Sequence, residues 1–340
     1  MPRIFRKPNN SSVRNNHEQT QIIMNRQKFN ELLRASFKSD DTEEWLDIHF
    51  NRPIGLVLAL ACKAMHIHPN TITIISIFLG AAAGWMFYYT DWQHNVLGIV
   101  FLMLANFCDS ADGQLARITG QKTLLGRVLD GFSGDVWFFS IYLAIVLRLY
   151  HQPVPFLGGQ EWGFSIFLLC LVAGVFFHSP QSSLSDYYRQ IHLYFLLGKS
   201  GSELDDAETQ RQKLKTFGWR DWFSWLYFFF YGNYCASQEK RTPQFQKFYR
   251  HVRSHYPDAS DMPRQLREDF RRESLPLMKY TNMLTFNVRA ITIYLSCLLQ
   301  VPYLFPLAEV LILSGMYVYM HRRHEHFCAR LDERYFGQEA

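Results

Sequence analysis

The feature that most constrains this chain is a series of long apolar blocks. A helix needs about 20 apolar residues to cross the hydrocarbon core of a bilayer. Five blocks have this length, and a sixth follows the fifth almost at once. They run from Thr71 to Tyr89, Val96 to about Arg117, Leu124 to Leu149, Trp162 to about Ser179, Leu284 to Gln300 and Tyr303 to Met320. The sequence therefore predicts an all-α polytopic membrane protein with six transmembrane helices.

A shorter apolar block precedes the first predicted span. Pro53 to Met65 is too short to cross a bilayer, and it follows the mixed stretch "EEWLDIHFNR". We interpret it as an interfacial amphipathic helix that ends at His68-Pro69, because a helical conformation is disfavoured for the residue before a proline. A seventh, short span is the alternative.

The connections between the blocks alternate in charge. "DWQHN", "YHQPVPFLGGQE" and "VP" contain no Lys or Arg, whereas the other connections and both ends of the chain are basic. The positive-inside rule then places both termini, and the ends of the spans beside the basic connections, in the cytoplasm. In a bacterium the membrane would be the inner membrane. The net charge of +5 is explained by basic segments beside anionic lipid, so no nucleic acid partner is expected.

The pattern divides the chain into three parts. Residues 1–42 are predicted to be a flexible cytoplasmic tail, 43–321 the membrane domain, and 322–340 a cytoplasmic C-terminal tail. The membrane domain contains a polar cytoplasmic insertion at about 188–276. Within the insertion, the aromatic run "WFSWLYFFFYGNY" is compatible both with the membrane interface and with packing against the bundle. The membrane domain could form a homodimer.

Three aspartates stand where hydrocarbon is expected. Asp109 and Asp112 lie in the last third of the second predicted span, and Asp130 lies about two turns into the third, at similar depth. A buried aspartate costs roughly 2.5 to 3.5 kcal/mol on membrane-insertion scales, so a compensating charge is expected. Carboxylate oxygens suit Mg²⁺ or Mn²⁺, and two such ions could clamp a pyrophosphate. A cation pathway, or salt bridges to Arg127 and Arg289, is the alternative.

Small residues share the helix face of these carboxylates. Asp109, Asp112, Gly113 and Ala116 are spaced i, i+3, i+4 and i+7, which places them on one face. Glycine and alanine would let a ligand approach the backbone closely.

The stretch resembles the signature of the CDP-alcohol phosphotransferase family, D-x2-D-G-x2-A-R-x8-G-x3-D-x3-D. Seven positions match in identity and spacing: Asp109, Asp112, Gly113, Ala116, Arg117, Gly126 and Asp130. Upstream, "RPIG" and "HPNTIT" are similar to the family's interfacial helix and the opening of its first span. The resemblance covers Asn51 to about Asp186 well and Tyr280 to His321 loosely, and it does not extend to the insertion.

The resemblance implies a membrane enzyme in which an alcohol hydroxyl attacks the phosphate of a CDP-linked substrate and expels CMP. It implies that Asp109, Asp112 and Asp130 hold two divalent ions, Mg²⁺ or Mn²⁺. It also implies a set of residues that line the CDP pocket or border the nucleotide cavity: Gly113, Ala116, Arg117, Asn70 and Thr73.

The fourth aspartate of the signature is displaced in this chain. Gly134 stands four residues after Asp130, and Asp135 follows one position later. On a regular helix the extra residue would turn Asp135 away from the face of Asp130. A π-bulge between Gly131 and Gly134 would return Asp135 to the site as the catalytic base. Otherwise the base lies elsewhere, or the hydroxyl is activated without one.

The acceptor and donor are less constrained than the reaction class. We expect a phospholipid-synthesis transferase that uses CDP-diacylglycerol as donor and an alcohol such as inositol phosphate as acceptor, with the lipid bilayer as its environment. The alternative is a CDP-amino alcohol (choline or ethanolamine type) phosphotransferase acting on diacylglycerol. A non-catalytic transporter or scaffold is a more distant alternative.

Overall fold

The computed structural model describes residues 27–37, 39–155, 157–218 and 221–337. Within these ranges the chain forms helices and turns and no β-strand, with one isolated β-bridge between Pro153 and Glu161. The predicted flexible tail lies mostly outside the described residues. The helices are α1 (27–36), α2 (Arg52–Ala64), α3 (Pro69–Tyr88), α4 (Trp92–Thr119), α5 (Leu124–Leu149), α6 (Phe164–Leu197), α7 (Ala207–Lys215), α8 (Trp222–Arg241), α9 (Pro243–His255), α10 (Arg264–Met283), α11 (Phe286–Leu298) and α12 (Leu304–Phe336).

Five of the described helices are long and apolar enough to cross a membrane: α3, α4, α5, α6 and α12. The all-α membrane fold is thereby confirmed, whereas the count of six spans is not. The block from Leu284 to Gln300 forms α11, which has 13 residues and is about 20 Å long at 1.5 Å per residue. This is shorter than a hydrocarbon core of about 30 Å.

The predicted interfacial helix is α2. Its 13 residues are too few to span a bilayer, and it lies against α4. A Cβ at Gly55 would lie 2.6 Å from the Ser110 hydroxyl, so only glycine permits this approach. The Gln114 side chain, also on α4, donates to the Arg52 carbonyl at 3.1 Å.

The spanning helices pack around one apolar core. Its buried side chains come from α3 to α6, from α11 and from the start of α12. On α3, Gly80 leaves room for the Trp137 ring of α5, whose Nε1 donates to the Ser76 carbonyl at 3.0 Å. This contact holds α3 close to α5, in the half of α5 that follows Asp130.

A second apolar core lies beyond the spans. The C-terminal halves of α6 and α12 extend into it and pack with α9 and α10. Phe327, Cys328 and Leu331 are buried there, so residues 322–336, which the sequence assigns to a tail, continue α12. The predicted insertion is therefore folded onto the ends of two spanning helices.

The segment before α2 contacts both α10 and α11. Arg271 of α10 donates to Asp41 through Nε at 2.7 Å and Nη2 at 2.9 Å. The Arg271 guanidinium holds the pKa of the Asp41 carboxyl below its ordinary value. Glu44 accepts a hydrogen bond from the Asn287 side chain of α11 at 2.6 Å. Residues near the start of the described chain thus contact helices more than 200 positions away.

Candidate functional site

The three predicted aspartates converge between α4 and α5. One carboxylate oxygen each of Asp109, Asp112 and Asp130 lies within 4.8 Å of the others. Asp109 and Asp112 are one turn apart on α4, and Asp130 is in the second turn of α5. The structure thus places the three aspartates that the sequence singled out close to one another.

The turn between α4 and α5 produces this convergence. Gly120 ends α4 with a φ of +70°, a left-handed conformation that glycine adopts at little cost. Thr123 then caps α5 by accepting a hydrogen bond from the Gly126 amide at 2.9 Å. This short connection brings the end of α4 near the start of α5, and α3 packs against both helices.

Ser133 links two of the aspartates. Its hydroxyl lies 3.0 Å from Oδ1 of Asp109 and 2.7 Å from the Asp130 carbonyl, within donating distance of both. The side chain is buried, and it fixes the register between α4 and α5 at the carboxylates. Ser133 was not among the predicted site residues, because a serine inside an apolar helix carries no distinctive sequence signal.

The surroundings of the Asp112 carboxylate indicate whether a cation fits between the aspartates. The side chain is buried, and its Oδ2 has no hydrogen-bond partner among the described residues. The Thr73 hydroxyl of α3 lies beside the same carboxylate. A buried carboxylate oxygen without a partner is costly unless a cation or a proton accompanies it. With two further carboxylates within reach, the donor set fits a hard divalent cation.

Arg117 folds back over Gly113. A Cβ at Gly113 would lie 3.6 Å from Nη1 and 3.9 Å from Nη2 of Arg117, with nothing else within 4 Å. The guanidinium also lies within electrostatic range of Asp112 and Asp130. The predicted pocket residues Gly113 and Arg117 thus lie together beside the carboxylates, and Ala116 is half-buried on the same helix.

Asn70 packs against the first turn of α5. A Cβ at Gly126 would approach Asn70 Oδ1 to 2.8 Å, and Thr123 donates to the same oxygen at 3.4 Å. This close approach is the physical reason for a glycine at the Gly126 position of the signature. Asn70 and Thr73 therefore connect the first turns of α3 to the site.

Asp135 occupies a different position from the three aspartates. α5 is α-helical from Leu124 to Leu149, so the expected π-bulge between Gly131 and Gly134 is wrong. Asp135 is not one of the carboxylates within 4.8 Å of one another. It does line a cavity of about 300 Å³ that also borders on Asp109, Asp130 and Gly134.

The far wall of this cavity carries a buried polar cluster. Nε of Arg289 donates to Glu309 at 2.7 Å, and Nη2 donates to Gln181 at 2.9 Å, while Nη1 contacts the Leu284 carbonyl. His178 Nδ1 lies 3.1 Å from the same Glu309 oxygen. Arg289 and His178 both line the cavity. The alternative that Arg289 neutralises the aspartates is therefore wrong, since its acidic partner is Glu309.

Sequence reasoning missed Glu309 as that partner. A lone acidic residue within the apolar block from Tyr303 to Met320 was the available signal, because a charge inside a span normally faces a partner.

The part of the chain that contains the three aspartates is similar to known proteins. Residues 66–185 match the model of the CDP-alcohol phosphatidyltransferase family. An archaetidylinositol phosphate synthase of Pyrococcus horikoshii is 34% identical over 94 residues, which are 28% of this chain and 46% of that protein. The chain thus spans less than half the length of this curated relative. Proteins of the family act on CDP-linked lipid substrates in membranes and use divalent metal ions.

Proposed function

We propose, from the similarity of residues 66–185 to the CDP-alcohol phosphatidyltransferase family, that this protein is a membrane transferase of phospholipid synthesis. It moves a substituted phosphate group from a CDP-activated donor to an alcohol and releases CMP. The observation that carries the proposal is the set of three carboxylate oxygens within 4.8 Å of one another. They stand beside a glycine and an arginine at the end of a membrane helix.

The carboxylates Asp109, Asp112 and Asp130 would hold two divalent ions, Mg²⁺ or Mn²⁺. Bound there, the ions supply neutralisation of the charge that builds up on the pyrophosphate as its bond breaks. Ser133 keeps Asp109 in register with α5. Arg117 lies over Gly113 and offers a fixed positive charge to the nucleotide phosphates.

The remaining predicted residues shape the nucleotide side of the site. Gly113 and Ala116 leave the α4 backbone open, so that the CDP portion can lie against it. Asn70 and Thr73 border this space from the first turns of α3. Their contacts with α5 and with Asp112 keep the walls in place before substrate arrives.

The donor is proposed to be CDP-diacylglycerol and the acceptor a polar alcohol of the inositol phosphate type. The support is the name of the relative, archaetidylinositol phosphate synthase, which describes the attachment of an inositol phosphate to a lipid. The cavity of about 300 Å³ reaches from Asp109 and Asp130 to His178, which leaves room for a polar acceptor beside the carboxylates.

An assay of CMP release tests both parts of the proposal. The full chain in vesicles would receive CDP-diacylglycerol with inositol phosphate, glycerol phosphate or serine in turn, with and without Mg²⁺. We expect Mg²⁺-dependent CMP with inositol phosphate. CMP from CDP-ethanolamine and diacylglycerol instead would reverse the assignment of the donor. No CMP from any pair would overturn the transferase proposal.

Asp135 is proposed to accept the proton of the attacking hydroxyl from its place on the cavity wall. Asp135→Asn is expected to lower kcat about a hundredfold, the lower end for general-base catalysis, while KM for the CDP donor stays unchanged. Steady-state kinetics of CMP release measure both constants. Full activity of this variant would remove Asp135 from the mechanism, and a raised KM with unchanged kcat would assign it to binding.

The proposed orientation places both termini and the site in the cytoplasm, which requires the short helix α11 to carry the chain across the membrane between α6 and α12. A tag inserted at Trp92 or Pro155 is expected to react only with reagents on the outer side, because these connections lack Lys and Arg. A tag at Asp205, between α6 and α7, should react only from the cytoplasmic side. The opposite pattern would turn the site away from cytoplasmic CDP substrates.

A further inference from the structure

Helix α8 exposes a continuous apolar face. Six side chains form it, and we call them the aromatic stripe: Trp222, Trp225, Leu226, Phe229, Phe230 and Tyr234. They follow one another at i, i+3, i+4, i+7, i+8 and i+12, which is one side of an α-helix. Each is between 38% and 65% exposed. Large apolar side chains so regularly exposed mark a surface that contacts something other than water.

The opposite face of α8 holds the helix to the protein through polar contacts. The Tyr231 hydroxyl donates to Asp205 at 3.0 Å, and the Gln238 side chain donates to the Ser183 carbonyl of α6 at 2.9 Å. Gly232 and Cys235 are buried between them. Polar groups therefore point inward and apolar groups outward, the reverse of a helix on the surface of a water-soluble protein.

These contacts place α8 at the site end of the spanning bundle. The Tyr227 side chain lies beside Arg127, in the first turn of α5. Tyr234 lies within electrostatic range of Asp135. The outer surface of α5 is itself apolar here, with Leu125 and Phe132 exposed. The aromatic stripe thus lies where the apolar surface of the spans begins.

The neighbouring helix adds positive charge. α7 packs against α8 and exposes Arg211, Lys213 and Lys215. The Lys213 ammonium lies 5.8 Å from the centre of the Phe228 ring. Tryptophan and tyrosine are enriched at the boundary between headgroups and acyl chains, and basic residues beside them attract anionic headgroups.

We propose that α8 lies in the headgroup–acyl boundary of the membrane that the spans cross, with the aromatic stripe facing lipid. The bilayer is the occupant that matches the stripe, because the stripe adjoins the apolar surface of α5 and has basic side chains on the adjacent helix. The end of α8 at Tyr234 then lies near Asp135. This inference depends on the membrane fold and not on the reaction.

Depth-dependent fluorescence quenching tests the proposal. The full chain and its Trp222→Phe/Trp225→Phe variant are placed in vesicles of phosphatidylcholine and phosphatidylglycerol, and their difference spectrum isolates the emission of the two tryptophans. Phosphatidylcholine brominated near the headgroup end of its acyl chains should cause about a twofold loss of this signal. Iodide in the aqueous phase should leave it nearly unchanged.

A matched control and two opposite outcomes complete the test. Trp85 is 66% exposed on the spanning helix α3, so the difference between the parent and Trp85→Phe calibrates quenching by lipid. Quenching of the α8 signal by iodide and not by brominated lipid would place the aromatic stripe in water and overturn the proposal. Quenching by neither, with an emission that changes on dilution into more lipid, would assign the aromatic stripe to a second copy of the chain.

Discussion

Replacement of Asp109, Asp112 or Asp130 by asparagine is expected to lower CMP release about a thousandfold in each case. The carboxylates lie within 4.8 Å of one another and together form the proposed cation site. An amide oxygen ligates a divalent cation without neutralising its charge. The stabilisation that divalent ions give a transition state is several kcal/mol, and each 1.36 kcal/mol changes the rate tenfold.

The measurement is the rate of CMP release at saturating Mg²⁺, with membrane insertion followed in the same preparation. Asp91→Asn is the matched control. Asp91 caps α4 at its opposite end by accepting from the His94 amide at 3.0 Å, and asparagine caps a helix equally well. The control should retain parental activity. Near-parental turnover in one of the three site variants would exclude that residue from the metal ligands.

Gly113→Leu is expected to weaken binding of CDP about a hundredfold. The space at Gly113 ends at the Arg117 guanidinium, 3.6 Å from a Cβ placed there. Alanine fits that space, whereas leucine has to displace the guanidinium or fill the volume above the helix backbone. Overpacking of this kind costs about 1 to 3 kcal/mol, and the displaced positive charge adds to the loss.

Titration calorimetry with CDP and Mg²⁺ measures this loss. Gly113→Ala should bind nearly as the parent does, because its methyl group makes only ordinary contacts. Gly315→Leu is the second control, since Gly315 lies on α12 with no atom within 4 Å of a Cβ. Parental affinity in Gly113→Leu would place the nucleotide elsewhere. Weaker binding in Gly315→Leu would indicate a general effect of leucine on the fold.

The convergence of the three aspartates was largely predictable because its signals are local. A spacing of i, i+3 fixes Asp109 and Asp112 on one face of α4, and a short connection places Asp130 opposite them. The role of Ser133 was not predictable in this way, because its hydrogen bond to Asp109 depends on the register between two helices. Glu309 of α12 pairs with Arg289 of α11, and this pairing depends on how the two helices pack.

The predicted sixth span shows what hydropathy alone does not report about a helix. The residues from Leu284 to Gln300 are apolar enough for a span, but hydropathy does not report where a helix starts and stops. α10 ends at Met283, α11 ends at Leu298, and Gln300 adopts a φ of +60° in the turn that follows. The ends of the helices leave α11 with 13 residues.

The sequence by itself determined the all-α membrane fold and the meeting of Asp109, Asp112 and Asp130. Both follow from the length and period of apolar residues, which a chain encodes locally. Only the tertiary structure decided that α5 stays regular past Gly134 and that residues 322–336 pack into a second core. It also decided that the aromatic stripe of α8 faces outward. Periodicity shows that a helix has an apolar face, but what covers that face depends on distant parts of the chain.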